Sequence, residues 1–259
     1  MASNFIWYEL MTPDQNAAID FYAKVVGWTA APHPGAEASG GQYMVLSTDG
    51  VGVGGVFQFT EEMKAGGMPP MWIGYIGVDD ADETAKRIEA AGGSIHKGPD
   101  EIPGVGRFAM VADPGGAMFY ILAPLPREED PPKLEKYATG TAGWHELYTS
   151  QGEKGAFDFY SGLFGWETLT EMDMGPMGSY RIFGVDGERV GGMMDKPEQL
   201  PRSVWGFYFT TPSIDVAAQR VTANGGAVRM GPMEVPDGSW VIQCADPQGA
   251  VFSMVSRQR

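Results

Sequence analysis

WYELMTPDQNAAIDFYAKVVGW (7–28) and WHELYTSQGEKGAFDFYSGLFGW (144–166) are two versions of one segment. Trp, Glu-Leu, Thr, Asp-Phe-Tyr and Gly-Trp recur in order, with one extra residue in the second loop. The match continues downstream. Tyr43, Asp49-Gly50 and Gly54-Gly55 answer to Tyr180, Asp186-Gly187 and Gly191-Gly192. Trp72, Gly92-Gly93, Gly98-Pro99, Pro103 and Asp113-Pro114 answer to Trp205, Gly225-Gly226, Gly231-Pro232, Pro236 and Asp246-Pro247. An ordered series of matches at nearly fixed offset marks a tandem duplication. The copies are assigned to residues 1–125 and 140–259. Between them PLPREEDPPKLEKYATGT (124–141) is rich in proline and charge and without periodicity, so residues 126–139 read as a linker.

Each copy runs strand, helix, short strands, and then repeats that order. FIWYELM (5–11) alternates and is aromatic or β-branched, which predicts a strand. Residues 14–27 place Ala17, Ala18, Phe21, Tyr22 and Val25 at helical spacing, with Asp14 to cap the start and Gly27 to end it. YMVLST (43–48) and VGGVFQF (53–59) flank a hairpin turn. MWIGYIGV (71–78) predicts a strand, 80–93 a helix closed by Gly92, and 106–113 and 117–123 two strands joined by Asp-Pro-Gly-Gly. In the second copy 211–226 is the matching second helix. The expectation is an α+β chain of two tandem domains, each of two β-α-β-β-β units.

Composition narrows the function classes. Of 259 residues 43% are hydrophobic and 20% charged, an ordinary globular balance, and a chain this long buries enough core to fold without staples. A net charge of -15 and a pI near 4.5 repel phosphate backbones, so no nucleic-acid partner is expected. No apolar run approaches a membrane span, and MASNFIWYELMTPD lacks the pattern of a signal peptide. With a single cysteine, Cys244, expected to be buried and inert, the reading is a cytoplasmic protein without membrane contact. The oligomeric state is left open.

The paired β-α-β-β-β units, the FY…GW helix end, the A.GG helix end and the late Asp-Pro turn before a last strand together resemble the vicinal oxygen chelate superfamily. This is the glyoxalase, bleomycin-resistance and dioxygenase group. The closest likeness is to a two-domain branch, called glyoxalase-like or hydroxylase-like, that carries W.EL in its first strand. The resemblance implies a curved mixed sheet around a cavity in each domain, with helices outside. It also implies a choice among isomerases, lyases, dioxygenases and metal-free drug-binding proteins, which fold alone does not make.

In the metal-using relatives the first strands supply His or Gln and the last strands Glu, because a divalent ion needs N and O donors converging on a point. Carried onto this chain, the first-strand slots fall on Trp7 and Trp144, and the second-unit slots near Trp72-Ile73 and Trp205-Gly206. The last-strand slots fall on Tyr120 and Ser253. The remaining slot falls within GGVFQF or GGMMDK and has no fixed register; none of the placed slots carries a ligand of the family's kind, so no metal and no cofactor is expected. His33 and His96 read as surface residues. His145 lies one position from a slot, and strand alternation turns it toward the helix.

The inner face implied by the resemblance carries Trp7, Glu9 and Met11 in the first copy and Trp144, Glu146 and Tyr148 in the second. Met118 and Tyr120, and Val251 and Ser253, join from the last strands, with Trp72, Trp205 and Trp240 as neighbours. Such aromatics either fill the cavity as core or bind a small flat molecule. A carboxylate on an inner face needs a partner. Glu9 and Glu146 therefore read either as structural, with Arg107 a partner for Glu9, or as general base or acceptor. The sixteen methionines suit an adaptable apolar site or ordinary packing. Stretches 32–42 and 172–179 are lids or plain connectors. The leading expectation is a metal-independent protein binding a small aromatic or apolar ligand. Its rival is an enzyme using Glu9, Glu146 or a metal site of other register, and in a third reading one copy binds while the other supports it.

Overall fold

A computed structural model describes residues 3–33, 43–126, 132 and 134–259. Residues 34–42 of the stretch 32–42, read as lid or connector, and linker residues 127–131 and 133 lie outside the described residues.

The first strand, β1 (Phe5–Thr12), runs into α1 (Gln15–Val25), followed by β2 (Thr29–Pro32), β3 (Tyr43–Thr48) and β4 (Val51–Gln58). A short helix α2 (Glu61–Ala65) leads to β5 (Met71–Gly77), α3 (Ala81–Ala90), β6 (Ser94–Ile102), β7 (Gly106–Ala112) and β8 (Met118–Pro124). The second copy repeats the order: β9 (Ala142–Thr149), α4 (Glu153–Phe164), β10 (Glu167–Asp173), β11 (Ser179–Val185) and β12 (Glu188–Asp195). Then follow β13 (Val204–Thr210), α5 (Ile214–Ala223), β14 (Ala227–Glu234), β15 (Trp240–Ala245) and β16 (Val251–Ser256). The strands order as two open eight-stranded mixed sheets, β2-β3-β4-β1-β5-β8-β7-β6 and β10-β11-β12-β9-β13-β16-β15-β14. Each copy supplies one sheet, which is the α+β tandem architecture the repeat predicts.

The helix starts follow local chemistry. Asp14, Asp80 and Ser213 sit at the N-caps, and their side chains accept from the backbone N–H groups of Ala17, Glu83 and Val216. α1 stops at Val25, short of Gly27, which adopts a φ of 94°. The strands that the unit order implies but to which the sequence reading gives no range, β2, β6, β10 and β14, are the sheet edges. β14 is exposed along most of its length, and without a buried face it shows no alternation to read.

Backbone proximity divides the chain differently from the repeat. One compact unit holds Met1–Ile6, Ile73–Glu128 and His145–Gly206, the other Trp7–Trp72, Glu129–Trp144 and Phe207–Arg259. Each unit draws on both copies, and the repeated motif residues explain why. In the second unit, Tyr22 of α1 donates to Asp246 Oδ2 at 3.3 Å and accepts from Trp72 Nε1 at 2.8 Å. In the first unit, Tyr160 of α4 donates to Asp113 Oδ2 at 3.1 Å and accepts from Trp205 Nε1 at 2.9 Å. The same aspartates also hold their Asp-Pro turns, Asp113 through Ala117 N and Asp246 through Gln248 N and Ala250 N. The Gly-Trp indoles complete the pattern, Trp28 Nε1 donating to Gly140 O and Trp166 Nε1 to Ser3 O. The Asp-Phe-Tyr, Gly-Trp, Trp and Asp-Pro motifs are thus one buried polar lock, present once in each unit.

Aromatic packing surrounds each lock. Phe119, Phe164, Trp166 and Trp205 contact Tyr160 in the first unit, and Phe21, Trp28, Trp72 and Phe252 contact Tyr22 in the second. Trp72 and Trp205 therefore belong to the helix-facing core, and their predicted place beside the cavity is corrected. Trp240 is corrected too: β15 pairs regularly with β16, which puts it on the face of Ile242, opposite Gln243 and Ser253.

Candidate functional site

Alternation along β1 and β9 puts Trp7, Glu9 and Met11, and Trp144, Glu146 and Tyr148, on the face away from Leu10 and Leu147. Leu10 and Leu147 are fully buried. His145 shares Leu147's face, as expected. Its Nδ1 lies 2.7 Å from Val190 O, so that nitrogen carries the proton, and its ring stacks on Phe5 at 4.4 Å. Burial pushes its pKa down to about 4.

Glu146, 8% exposed, is the best-defined carboxylate on the other face. It accepts from the hydroxyl of Tyr148, two residues along its own strand, and from the hydroxyl of Tyr180 at 2.8 Å. The reach from Tyr180 is made by glycine. Tyr180 lies on β11, two strands from β9, and Gly192 on β12 pairs with Glu146. A Cβ at Gly192 would overlap the Tyr180 ring. With hydrogen in its place, the ring lies flat across β12 and its hydroxyl arrives at the carboxylate.

The first copy repeats the close approach of a tyrosine ring over glycine. Gly55 pairs with Glu9, and a Cβ there would overlap the Tyr43 ring. The Tyr43 hydroxyl accepts from Trp7 Nε1 at 2.7 Å. Glu9 is buried, at 5% exposure. The proposed partner Arg107 is corrected: its guanidinium pairs with Asp82 of α3, on the helix side.

The last-strand residues fall in two chemically different groups. In the first unit Tyr120 pairs with Tyr75 of β5 and with Met110 of β7, and the two phenol rings stack at 4.3 Å. In the second unit Ser253 pairs with Tyr208 of β13 and with Gln243 of β15, and Gln243 Nε2 donates to the Tyr208 hydroxyl at 3.3 Å. Met118 and Val251 begin these strands. Met118 is half-buried, while Val251 is 62% exposed, and no ring contact or hydrogen bond among the described residues draws either to the tyrosines.

Tyr43, Tyr180, Tyr75, Tyr208 and Gln243 are candidate site residues that the sequence reading does not name. Tyr43 and Tyr180 had a signal: each precedes a repeated Gly-Gly pair at the same spacing. Tyr75 and Tyr208 follow from alternation only once the structure turns Trp72 and Trp205, three residues earlier, toward the helices. Gln243 had none, because its counterpart is Met110.

The donor set does not fit the family's divalent metal. The last-strand positions are a stacked phenol and a serine, and no three His, Cys, Asp or Glu side chains gather among the described residues. A separate cavity of about 300 Å³ in the first unit is lined by Ser3, Asp80, Glu83, Thr84, Arg87 and Phe164, among others, and by none of the expected site residues. Its Arg87 donates to the carbonyls of Gly162 and Leu163 at the end of α4.

Residues 4–121 and 144–254 match the family model described as Glyoxalase/Bleomycin resistance protein/Dioxygenase superfamily. The chain is similar to "Putative glyoxylase CFP32" of Mycobacterium bovis, 31% identical over 256 residues that cover 96% of this chain and 93% of that protein. It is 32% identical over 263 residues to the "Anthracycline biosynthesis protein DnrV" of Streptomyces peucetius, covering 96% and 91%. In fold it resembles a Mn(II)-bound glyoxalase from Novosphingobium aromaticivorans, with TM-score 0.64, 16% identity, and coverage of 99% of this chain and 82% of that one. It also resembles the 2,2',3-trihydroxybiphenyl 1,2-dioxygenase of Sphingomonas wittichii RW1, with TM-score 0.68, 11% identity, and coverage of 99% and 91%. No described helix is long and apolar enough to cross a membrane.

Proposed function

The chain belongs to the glyoxalase/bleomycin resistance protein/dioxygenase superfamily, and on that premise we propose that it is a metal-independent binder of a small aromatic molecule. The observation that carries this reading is the buried Glu146 held by the hydroxyls of Tyr148 and Tyr180 on the helix-free face. A pre-positioned carboxylate among phenol rings offers flat apolar surface together with a directed acceptor. Trp144 lies on the same strand face as Glu146. The anthracycline biosynthesis role in a relative's name agrees with a flat, ring-based ligand. The donor set supports binding without a metal, and no cofactor is called for. Domain limits of 1–125 and 140–259 and a cytoplasmic location belong to the same reading.

Calorimetric titration with 2,3-dihydroxynaphthalene tests it. Glu146→Gln keeps the side chain's shape and removes its charge, so affinity is expected to fall about ten- to a hundredfold, the equivalent of about 1.5–3 kcal/mol, with the fold intact. A lowered melting temperature with unchanged affinity per folded molecule would make Glu146 structural and remove it from the site.

The Glu146–Tyr148 contact also favours a second reading, in which the carboxylate is a general base with the phenol as its proton partner. That reading predicts turnover of an aromatic substrate that Glu146→Gln abolishes while binding persists.

A further inference from the structure

The cavity beside α3 is lined by residues of the first unit alone and shares none with the Glu146 site. At about 300 Å³ it is at the small end for a ligand cavity. Val78, Leu163 and Phe164 give it an apolar wall. Asp79, Asp80 and Glu83 bring three carboxylates to its lining, against one guanidinium, that of Arg87. The guanidinium is already bonded to the end of α4, donating to Gly162 O at 2.9 Å and to Leu163 O at 3.2 Å.

Acidic residues at a helix start serve the helix, as Asp80 does by capping Glu83 N. Thr84 has no such role. It lines the cavity, is only 7% exposed, and its hydroxyl makes no hydrogen bond among the described residues. A hydroxyl so placed is costly unless a polar group enters the cavity to meet it. The second copy carries neither feature. At the offset that matches Trp72 to Trp205 and Gly92 to Gly225, Thr84 answers to Ala217, and Asp79, Asp80 and Glu83 answer to Pro212, Ser213 and Val216. Ala217 is fully buried and Ser213 caps α5, so packing and capping are served there without the hydroxyl or the carboxylates.

We propose that this cavity binds a small aliphatic ammonium ion, a second ligand site apart from the Glu146 face. An ammonium group carries three donors and no acceptor, which matches a lining of carboxylate and hydroxyl oxygens. It donates to the Thr84 hydroxyl and, in charge-assisted bonds, to the Glu83 and Asp80 carboxylates. The alkyl chain covers Val78, Leu163 and Phe164. A divalent metal is a poorer match, because no three His, Cys, Asp or Glu side chains converge among the described residues.

The test titrates the full chain with n-pentylammonium chloride and with 1-pentanol, its uncharged analogue, by calorimetry at low salt. The wild-type chain is expected to bind one pentylammonium, about tenfold more tightly than the alcohol, and less tightly as salt is added. Glu83→Gln should weaken binding about tenfold. Thr84→Ala copies the second copy's residue, so it should keep the melting temperature and weaken binding severalfold, while Thr84→Ser retains the hydroxyl and should bind as the wild type does. Glu89→Gln removes an exposed α3 carboxylate outside the cavity and should change nothing. The proposal is overturned by no binding of pentylammonium, by equal affinity for the alcohol, or by equal losses in Glu83→Gln and Glu89→Gln. Unchanged binding in both Glu83→Gln and Thr84→Ala overturns it as well.

Discussion

His145 shows how one residue's surroundings set its behaviour. A histidine in a first strand of this family invites a metal role, but here the ring is buried, stacked on Phe5 and tied to Val190 O. Its pKa falls to about 4 in the folded chain, against about 6.5 when unfolded, so between those values the unfolded state binds the extra proton. Stability is therefore full above about pH 6.5 and is lost as pH falls toward 4. Between pH 7 and pH 4.5 this residue alone should remove about 2–3 kcal/mol. Urea unfolding at the two pH values should show that loss in the wild-type chain and a smaller one in His145→Phe, which keeps a ring against Phe5. Cys244 is also governed by burial, which pushes its thiol up to about 12. It should resist iodoacetamide in the folded protein and react once denatured, as mass spectrometry would record.

The decisive features among the elements are close approaches between neighbouring strands and helices. Tyr180 reaches Glu146 only because β12 offers Gly192 beneath its ring. Gly192→Ala should displace the ring, break that hydrogen bond and weaken diol binding about as much as Tyr180→Phe, with no further loss when the two are combined. Additive losses in such a double-mutant cycle would show that the glycine acts elsewhere. The locks joining helices to strands make a second prediction. Tyr160→Phe leaves Trp205 Nε1 and Asp113 Oδ2 without the hydroxyl they share, at a cost of about 1–3 kcal/mol. Tyr22→Phe removes the matching hydroxyl between Trp72 and Asp246 and should cost a similar amount. Thermal unfolding of both variants checks whether the two locks are equivalent.

For the whole molecule, the donor set predicts that protein purified and dialysed without chelator carries no stoichiometric divalent ion. About one zinc, nickel, iron or manganese per chain by elemental analysis would refute the metal-independent reading. The duplication, the α+β order and the strands and helices with a buried face were all legible from residues 7–28 and 144–166 outward. Burial imposes a period of two or 3.6 on the chain, and a tandem copy displays that period twice. The edge strands β2, β6, β10 and β14 were implied by the unit order but could not be located, because a strand without a buried face carries no alternation. The geometry of the candidate site was legible in part. Alternation placed Trp7, Glu9, Trp144, Glu146 and Tyr148 on the helix-free face, since neighbours along a strand have no other way to point. It could not say that Tyr43 and Tyr180 lie across glycines toward that face, or that Trp72 and Trp205 belong to the locks. Nor could it show that Tyr120 stacks on Tyr75 where Ser253 meets Tyr208 and Gln243. Local periodicity determines which way a side chain leaves its own backbone. Which group it meets depends on the register of strands distant in sequence, and only the tertiary structure decides that.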